Sequence, residues 1–145
     1  MLIGIPNILS PELLKVLMEM GHGDEIVLAD GNFPAASHAR RLVRCDGHRL
    51  PELLDAVLKL FPLDTYVDKP VALMEVVPGD PVKTPIWDRY AEIVRQRSGL
   101  SDPFEKVERF AFYERTKQAY AVVATGESAQ YANLILKKGV IRETE

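Results

Sequence analysis

Between turns rich in glycine and proline, this chain repeatedly breaks into short aliphatic runs, and their brevity limits the possible folds more than any other feature. Residues 26–29 read Ile-Val-Leu-Ala, 42–45 read Leu-Val-Arg-Cys, and 71–77, 120–125 and 133–138 add three more mostly apolar stretches. Such runs have the length of strands, and where they carry no polar alternation they have the pattern of strands buried on both faces. Segments with helical spacing fall between them. This alternation, with no repeat, linker or low-complexity tract, predicts a layered α/β fold with a mostly parallel central sheet flanked by helices. The 145 residues are expected to form a single domain over 1–145, long enough to hide roughly two thirds of the surface that the unfolded chain exposes.

Helix boundaries are marked by specific residues. Ser10-Pro11-Glu12 supplies a capping hydroxyl, a proline at the first helical position and a carboxylate at the positive helix end, so a helix starts there and stops at Gly21. Pro34 opens a short helix after the Gly31-Asn32 turn. Residues 51–61 carry apolar groups at helical spacing and are closed by Pro62. Pro85 opens a further helix through Arg97, with Ile86, Tyr90, Ile93 and Val94 on one stripe and Gly99 as its stop. Residues 110–113 fit strand or helix. Phe110, Tyr113 and Lys117 at i, i+3 and i+7 favour a helix with a charged, exposed back.

Composition excludes several classes of partner. Net charge is −3 and no basic face stands out, which argues against nucleic acid or an anionic membrane as partner. No apolar run approaches the ~18 residues of a membrane span, and the start of the chain lacks the basic and long apolar regions of a signal peptide. The single cysteine, Cys45, leaves no intrachain disulfide and fits a reducing compartment, so the expected location is cytoplasmic.

The chemistry-bearing candidates are few. His22 stands between Gly21 and Gly23, whose backbones are free to take positive φ and aim the imidazole. Its unperturbed side chain exchanges protons near neutrality, so it is either an acid–base residue or a solvated loop histidine. Asp30 ends the run 26–29, at the strand end where open α/β sheets bind ligands. A strand of that length holds His22 and Asp30 roughly 15–20 Å apart at ~3.3 Å per residue. They serve one pocket only if a loop folds back or a second subunit supplies one of them. Arg109 is a helix-surface charge or a donor fork for hydroxyls or a carboxylate. Tyr131-Ala132-Asn133 is a turn or a source of stacking area and a two-way amide. Whether Tyr120 faces the same pocket does not follow from spacing. His38 and His48 lie in polar turns, and with no H-x-x-x-H or C-x-x-C spacing a zinc site has no support, nor is there a G-x-S-x-G nucleophile elbow. Gly21-His22-Gly23 follows a helix and lacks the third glycine of a dinucleotide fingerprint.

Several segments in order, 11–15, 20–25, 33–34, 109–115 (Arg-Phe-Ala-Phe-Tyr-Glu-Arg), 125–127 and 136–140, together resemble the RbsD/FucU family, on its L-fucose mutarotase branch. The resemblance runs the length of the chain. It implies an isomerase without metal or cofactor that interconverts the α and β anomers of L-fucose and related pyranoses. It further implies His22 as proton donor, Asp30, Arg109, Tyr131, Ala132 and Asn133 as sugar-binding residues, and a ring-shaped homodecamer with sites at subunit contacts. Two alternatives stand beside it: a D-ribose pyranase interconverting pyranose and furanose forms, and a non-catalytic sugar-binding module.

Overall fold

The computed structural model describes residues 1–143. Helix α1, Pro11–Glu19, begins where the sequence places it: the Ser10 hydroxyl accepts the Leu13 N–H at 3.1 Å, satisfying one of the orphan donors of the first turn. Its far end lacks a left-handed cap, since Met20 is extended. The Lys138 ammonium instead donates to the carbonyls of Leu17 and Met20 at 2.7 and 2.6 Å, closing the helix with a cation where the dipole favours one. Strand β1, Glu25–Ala29, follows a loop in which Gly23 has φ +86°. Gly21 does not use the positive-φ region, so only one of the two glycines around His22 supplies the conformational freedom expected of both.

The remaining elements are α2 (Ala35–His38), β2 (Leu42–Cys45), α3 (Leu50–Leu58), β3 (Val71–Met74), α4 (Pro85–Ser98), β4 (Phe104–Val107), α5 (Arg109–Gln118), β5 (Ala121–Thr125) and β6 (Leu134–Lys137). They form one six-stranded sheet in the order β2-β5-β1-β6-β3-β4. The pairs β1–β5, β2–β5 and β3–β4 are parallel, while β6 runs antiparallel to both β1 and β3. The sheet is thus mostly parallel, with one reversed strand inserted near its middle.

Side chains alternate between the faces with the strand period of two. Ile26, Leu28, Val123, Leu134 and Leu136 point to the face covered by α1, α3 and α4, packing with Leu13, Leu53, Leu54, Tyr90 and Val94. Val27, Ala29, Val122, Ala124 and Ile135 point to the other face, against Phe33 and Phe112 from the segment before α2 and from α5. Burial on both sides explains why these strands read as continuous apolar runs.

Four expectations are revised. Strand β4 was not anticipated, because Phe104-Glu105-Lys106-Val107 lies at the sheet edge, only partly buried and interrupted by charges. Strand β3 ends at Met74, short of residue 77, before the Pro78-Gly79 turn. Helix α3 starts one residue earlier than expected and ends at Leu58. Helix α5 forms, yet buries Phe112 and Thr116 on its i, i+4 face, while Phe110 is 65% exposed. Its other anchor is Arg115, which forks onto Glu25 at the head of β1 at 2.6 and 3.0 Å and also pairs with Glu105 of β4.

Candidate active site

Asp30 emerges at the carboxyl end of β1, and residues from three further segments converge on it. A cavity of about 300 Å³ is lined by Asp30, Asn32 and Phe33, by Met74 at the end of β3 with Val77 and Asp80 after it, by Arg109 and Tyr113 of α5, and by Gln130, Tyr131 and Asn133 before β6. That volume is at the small end of ligand pockets. The convergence follows from topology: β6 lies between β1 and β3 and runs opposite to both, so its incoming loop arrives at their carboxyl ends.

Each polar group in the cavity has a defined sense. The Asn133 amide oxygen accepts the Asp30 backbone N–H at 2.8 Å, which turns its NH₂ into the donor left over. The Asp30 carboxylate accepts the Asn32 N–H at 3.0 Å. Burial pushes the Asp30 carboxyl above its ordinary value, more than the N–H groups of Asn32, Ala132 and Phe33 draw it down, and the Glu127 charge adds to the rise. Arg109, at the first position of α5, donates to the Tyr113 hydroxyl at 3.2 Å and stacks over Phe110 and Tyr113, leaving the rest of its fork open to solvent. Tyr131 holds φ +54°, a left-handed conformation uncommon for a non-glycine residue. Ala132 is buried and does not line the cavity; its carbonyl accepts the Tyr90 hydroxyl at 2.7 Å.

His22 lies at the other end of β1. Its Nε2 hydrogen-bonds Asp64 Oδ1 at 3.0 Å, with the imidazole 44% exposed and the carboxylate 4%. Asp64 is a residue that the sequence reading missed. Burial raises its carboxyl, but the Tyr66 N–H, the His22 ring and the charges of His22 and Lys137 outweigh that and hold it below the ordinary range. Because a carboxylate only accepts, Nε2 carries the proton in that bond, leaving Nδ1 as the nitrogen that can exchange a proton with a ligand. The two loops meet because both are sewn to the strip that continues β6. Gly23 N–H donates to the Lys138 carbonyl at 2.8 Å, Asp64 N–H to the Lys137 carbonyl at 3.0 Å, and Gly139 N–H to the Pro62 carbonyl at 2.8 Å. Tyr66 packs on the imidazole with ring centroids 5.1 Å apart. Tyr120 belongs to this end too: its N–H donates to the Glu25 carbonyl and its ring stacks under Arg41.

The sites expected from sequence therefore divide in two. Asp30, Arg109, Tyr131 and Asn133 surround one cavity, and His22 does not line it. Strand β1 alone, five residues long, separates the groups by roughly 16 Å at ~3.3 Å per residue.

A cavity of about 300 Å³ with polar walls at the carboxyl edge of a sheet with one reversed strand, and a histidine–carboxylate pair at the opposite edge, define the class: a small α/β protein with a ligand-sized polar pocket. The chain belongs to the RbsD / FucU transport protein family, whose sequence profile matches residues 3–141. Among its relatives, a fucose mutarotase from Danio rerio is 58% identical over 148 residues, spanning 98% of this chain and 95% of the relative. The crystal structure of the fucose mutarotase from Streptococcus pneumoniae in complex with L-fucose is 54% identical, with a TM-score of 0.93 over 97% of this chain and 100% of that one. The crystal structure of FucU from Bifidobacterium longum is 61% identical, with a TM-score of 0.94 over 96% of this chain and 99% of its own.

Proposed function

We propose that this chain is an L-fucose mutarotase, a single-domain isomerase of carbohydrate metabolism that interconverts the α and β anomers of L-fucose. The observation that carries the reading is the cavity at Asp30. It offers acceptors (Asp30, Tyr131) and donors (the Asn133 NH₂, Arg109) around a volume that fits one sugar ring, which is how a hydroxyl-studded ligand is recognised. The strong similarity to a fucose mutarotase crystallised with L-fucose supports the same assignment.

In the mechanism the anomeric hydroxyl loses its proton to the Asp30 carboxylate or a water it holds, and the C1–O5 bond breaks as C1=O forms. The ring oxygen takes a proton from His22 Nδ1–H. Rotation about C1–C2 presents the other carbonyl face, and the same steps reversed close the ring, leaving no net redox or proton change. Asp64 holds the imidazole through Nε2 and stabilises its charged form, as a carboxylate does when it orients a catalytic histidine. General acid–base help of this kind is typically worth ~10²- to 10⁴-fold. Asn133, Arg109 and Tyr131 fix the hydroxyls and reduce the entropic part of the barrier.

His22 reaches the cavity of a neighbouring subunit in a closed homo-oligomer, the ring-shaped decamer that the family resemblance implies. The surroundings of His22 support this. Tyr66, packed on the imidazole, is 65% exposed, an aromatic face beside His22 suited to a subunit contact. The enzyme is expected to work in the cytoplasm, free of membrane and nucleic acid; no helix among the described residues is long and apolar enough to cross a membrane.

The test is saturation-transfer NMR between anomer signals, run on L-fucose and on D-ribose with wild type and His22→Ala. Fast exchange of fucose that drops to the buffer rate in the variant supports the proposal. Preferred action on ribose ring forms overturns the substrate, and binding without exchange overturns the catalysis.

A further inference from the structure

We infer that Asp80 sets the hydrogen-bonding polarity of Tyr131 and so decides which kind of sugar oxygen that residue accepts. The inference rests on the sugar occupying the Asp30 cavity. Asp80 follows Pro78-Gly79, where Gly79 turns the chain at φ +88°, and it lines the cavity with Tyr131. Its Oδ1 accepts the Val82 N–H at 3.1 Å and its Oδ2 accepts the Tyr131 hydroxyl at 2.7 Å. The Tyr131 oxygen in turn accepts the Val77 N–H at 3.2 Å.

These bonds exhaust most of what a phenol can do. A tyrosine hydroxyl has one proton and two acceptor sites. The proton is committed to Asp80 and one lone pair to Val77, so a single lone pair remains for the ligand. The bond to Asp80 also raises the phenol's pKa, keeping it protonated in that role. Tyr131 is located from both ends as well, because the Trp87 indole N–H donates to its carbonyl at 2.8 Å and holds the left-handed backbone in place.

The consequence is directional. Tyr131 receives a hydroxyl that donates, and it rejects an oxygen that only accepts, such as the ring oxygen or an open-chain carbonyl. Asp80, which acts through Tyr131 as a positioning residue, thereby steers a hydroxyl edge of the sugar to this wall and keeps the reacting C1–O5 end away from it.

Matched pairs of fucose analogues test this, one carrying hydrogen and one carrying fluorine in place of the hydroxyl at C2, C3 or C4. Fluorine accepts but cannot donate. Dissociation constants are measured by competition against L-fucose exchange for wild type, Asp80→Asn and Tyr131→Phe. In wild type the fluoro analogue at one position is expected to bind about tenfold more weakly than its deoxy partner, because two acceptors are forced together. In Asp80→Asn the amide oxygen still accepts the Val82 N–H and the loop turn survives, but its NH₂ can donate to the phenol and free the phenolic proton. The difference then shrinks to about twofold or less, KM for L-fucose rises more than kcat falls, and Tyr131→Phe, which gives up the bonds to Val77 and Asp80 together with the acceptor, abolishes the discrimination. Equal wild-type affinity for both analogues at all three positions overturns the inference, as does full discrimination retained in Asp80→Asn. Wild-type exchange of L-fucose at the buffer rate sinks the parent reading and this one with it, so the two failures are distinguishable.

Discussion

Replacing Asp64 by Asn removes one charge from the histidine pair and leaves its shape. The substituted amide oxygen can still accept the Tyr66 N–H, which Asp64 Oδ1 receives at 3.1 Å, so the loop keeps its turn. The loss is the attraction between the carboxylate and a protonated His22 at 3.0 Å. Two unit charges at that distance attract by about 5.5 kcal/mol at an effective dielectric of 20 and about 1.4 kcal/mol at 80. The imidazole is 44% exposed, so screening by water places the pair in the lower half of that range, about 1.5–2.5 kcal/mol. Lost from the transition state, that is a fall of about ten- to a hundredfold in kcat. KM stays near wild type, because Asp64 does not line the sugar cavity. Saturation-transfer NMR on L-fucose over a concentration series reads both parameters. A kcat within about twofold of wild type, in a variant whose urea midpoint shows it folded, refutes the assignment of Asp64 as the residue that orients and charges His22.

Three further outcomes are expected. Asp30 has its pKa raised by burial, so the native state holds its proton more tightly than the unfolded chain does; between the ordinary value near ~3.9 and the raised one, stability falls as pH rises, a slope that Asp30→Asn removes in urea melts, and the wild-type pH–rate profile shows kcat/KM climbing as the carboxylate ionises. Gly139→Ala puts a methyl 2.5 Å from the Leu63 carbonyl oxygen and 2.9 Å from the Asp64 Cα, both backbone, so a loss of about 1–3 kcal/mol in urea denaturation is expected, with slower exchange because Asp64 is displaced. Phe112→Ala empties the core of the smaller face, where the ring meets Phe33 edge-on at 5.9 Å; a loss of about 3–5 kcal/mol should lower the melting temperature by roughly 6–20 °C in calorimetry.

The layered α/β architecture was legible because strands buried on both faces leave uninterrupted aliphatic runs, and because Ser10-Pro11 and Pro85 mark helix starts by chemistry that acts locally. What escaped depends on partners far away in sequence. Strand β4 exists because it pairs with β3, and no pattern in Phe104–Val107 carries that. The reversal of β6 has no local signal either, since a buried strand looks the same in either direction. The failed stripe in α5 has a similar cause: Arg115 is bound to Glu25, so the helix rotates Phe112 inward and leaves Phe110 outside.

The site was legible in unequal parts. Asp30 was marked by its place at a strand end, and its meeting with Asn133 and Tyr131 became visible only when β6 was seen beside β1. Asp64 gave no sign, as a lone Leu-Asp-Thr reads like any turn; its meaning comes from Lys137 and Gly139, which draw its loop against the His22 loop. Asp80 was hidden for the same reason, standing in a proline-glycine turn whose bond to Tyr131 crosses 51 residues.

The central claim is that one subunit brings His22 to the cavity that another builds around Asp30. Mixing is its most direct test: His22→Ala and Asp30→Asn chains, each inactive alone, are unfolded together, refolded into joint oligomers and assayed for L-fucose anomer exchange. If the site is shared, about a quarter of the interfaces in a random assembly pair an intact His22 with an intact Asp30, and about a quarter of wild-type exchange returns. Exchange that stays at the buffer rate in verified mixed oligomers contradicts the claim.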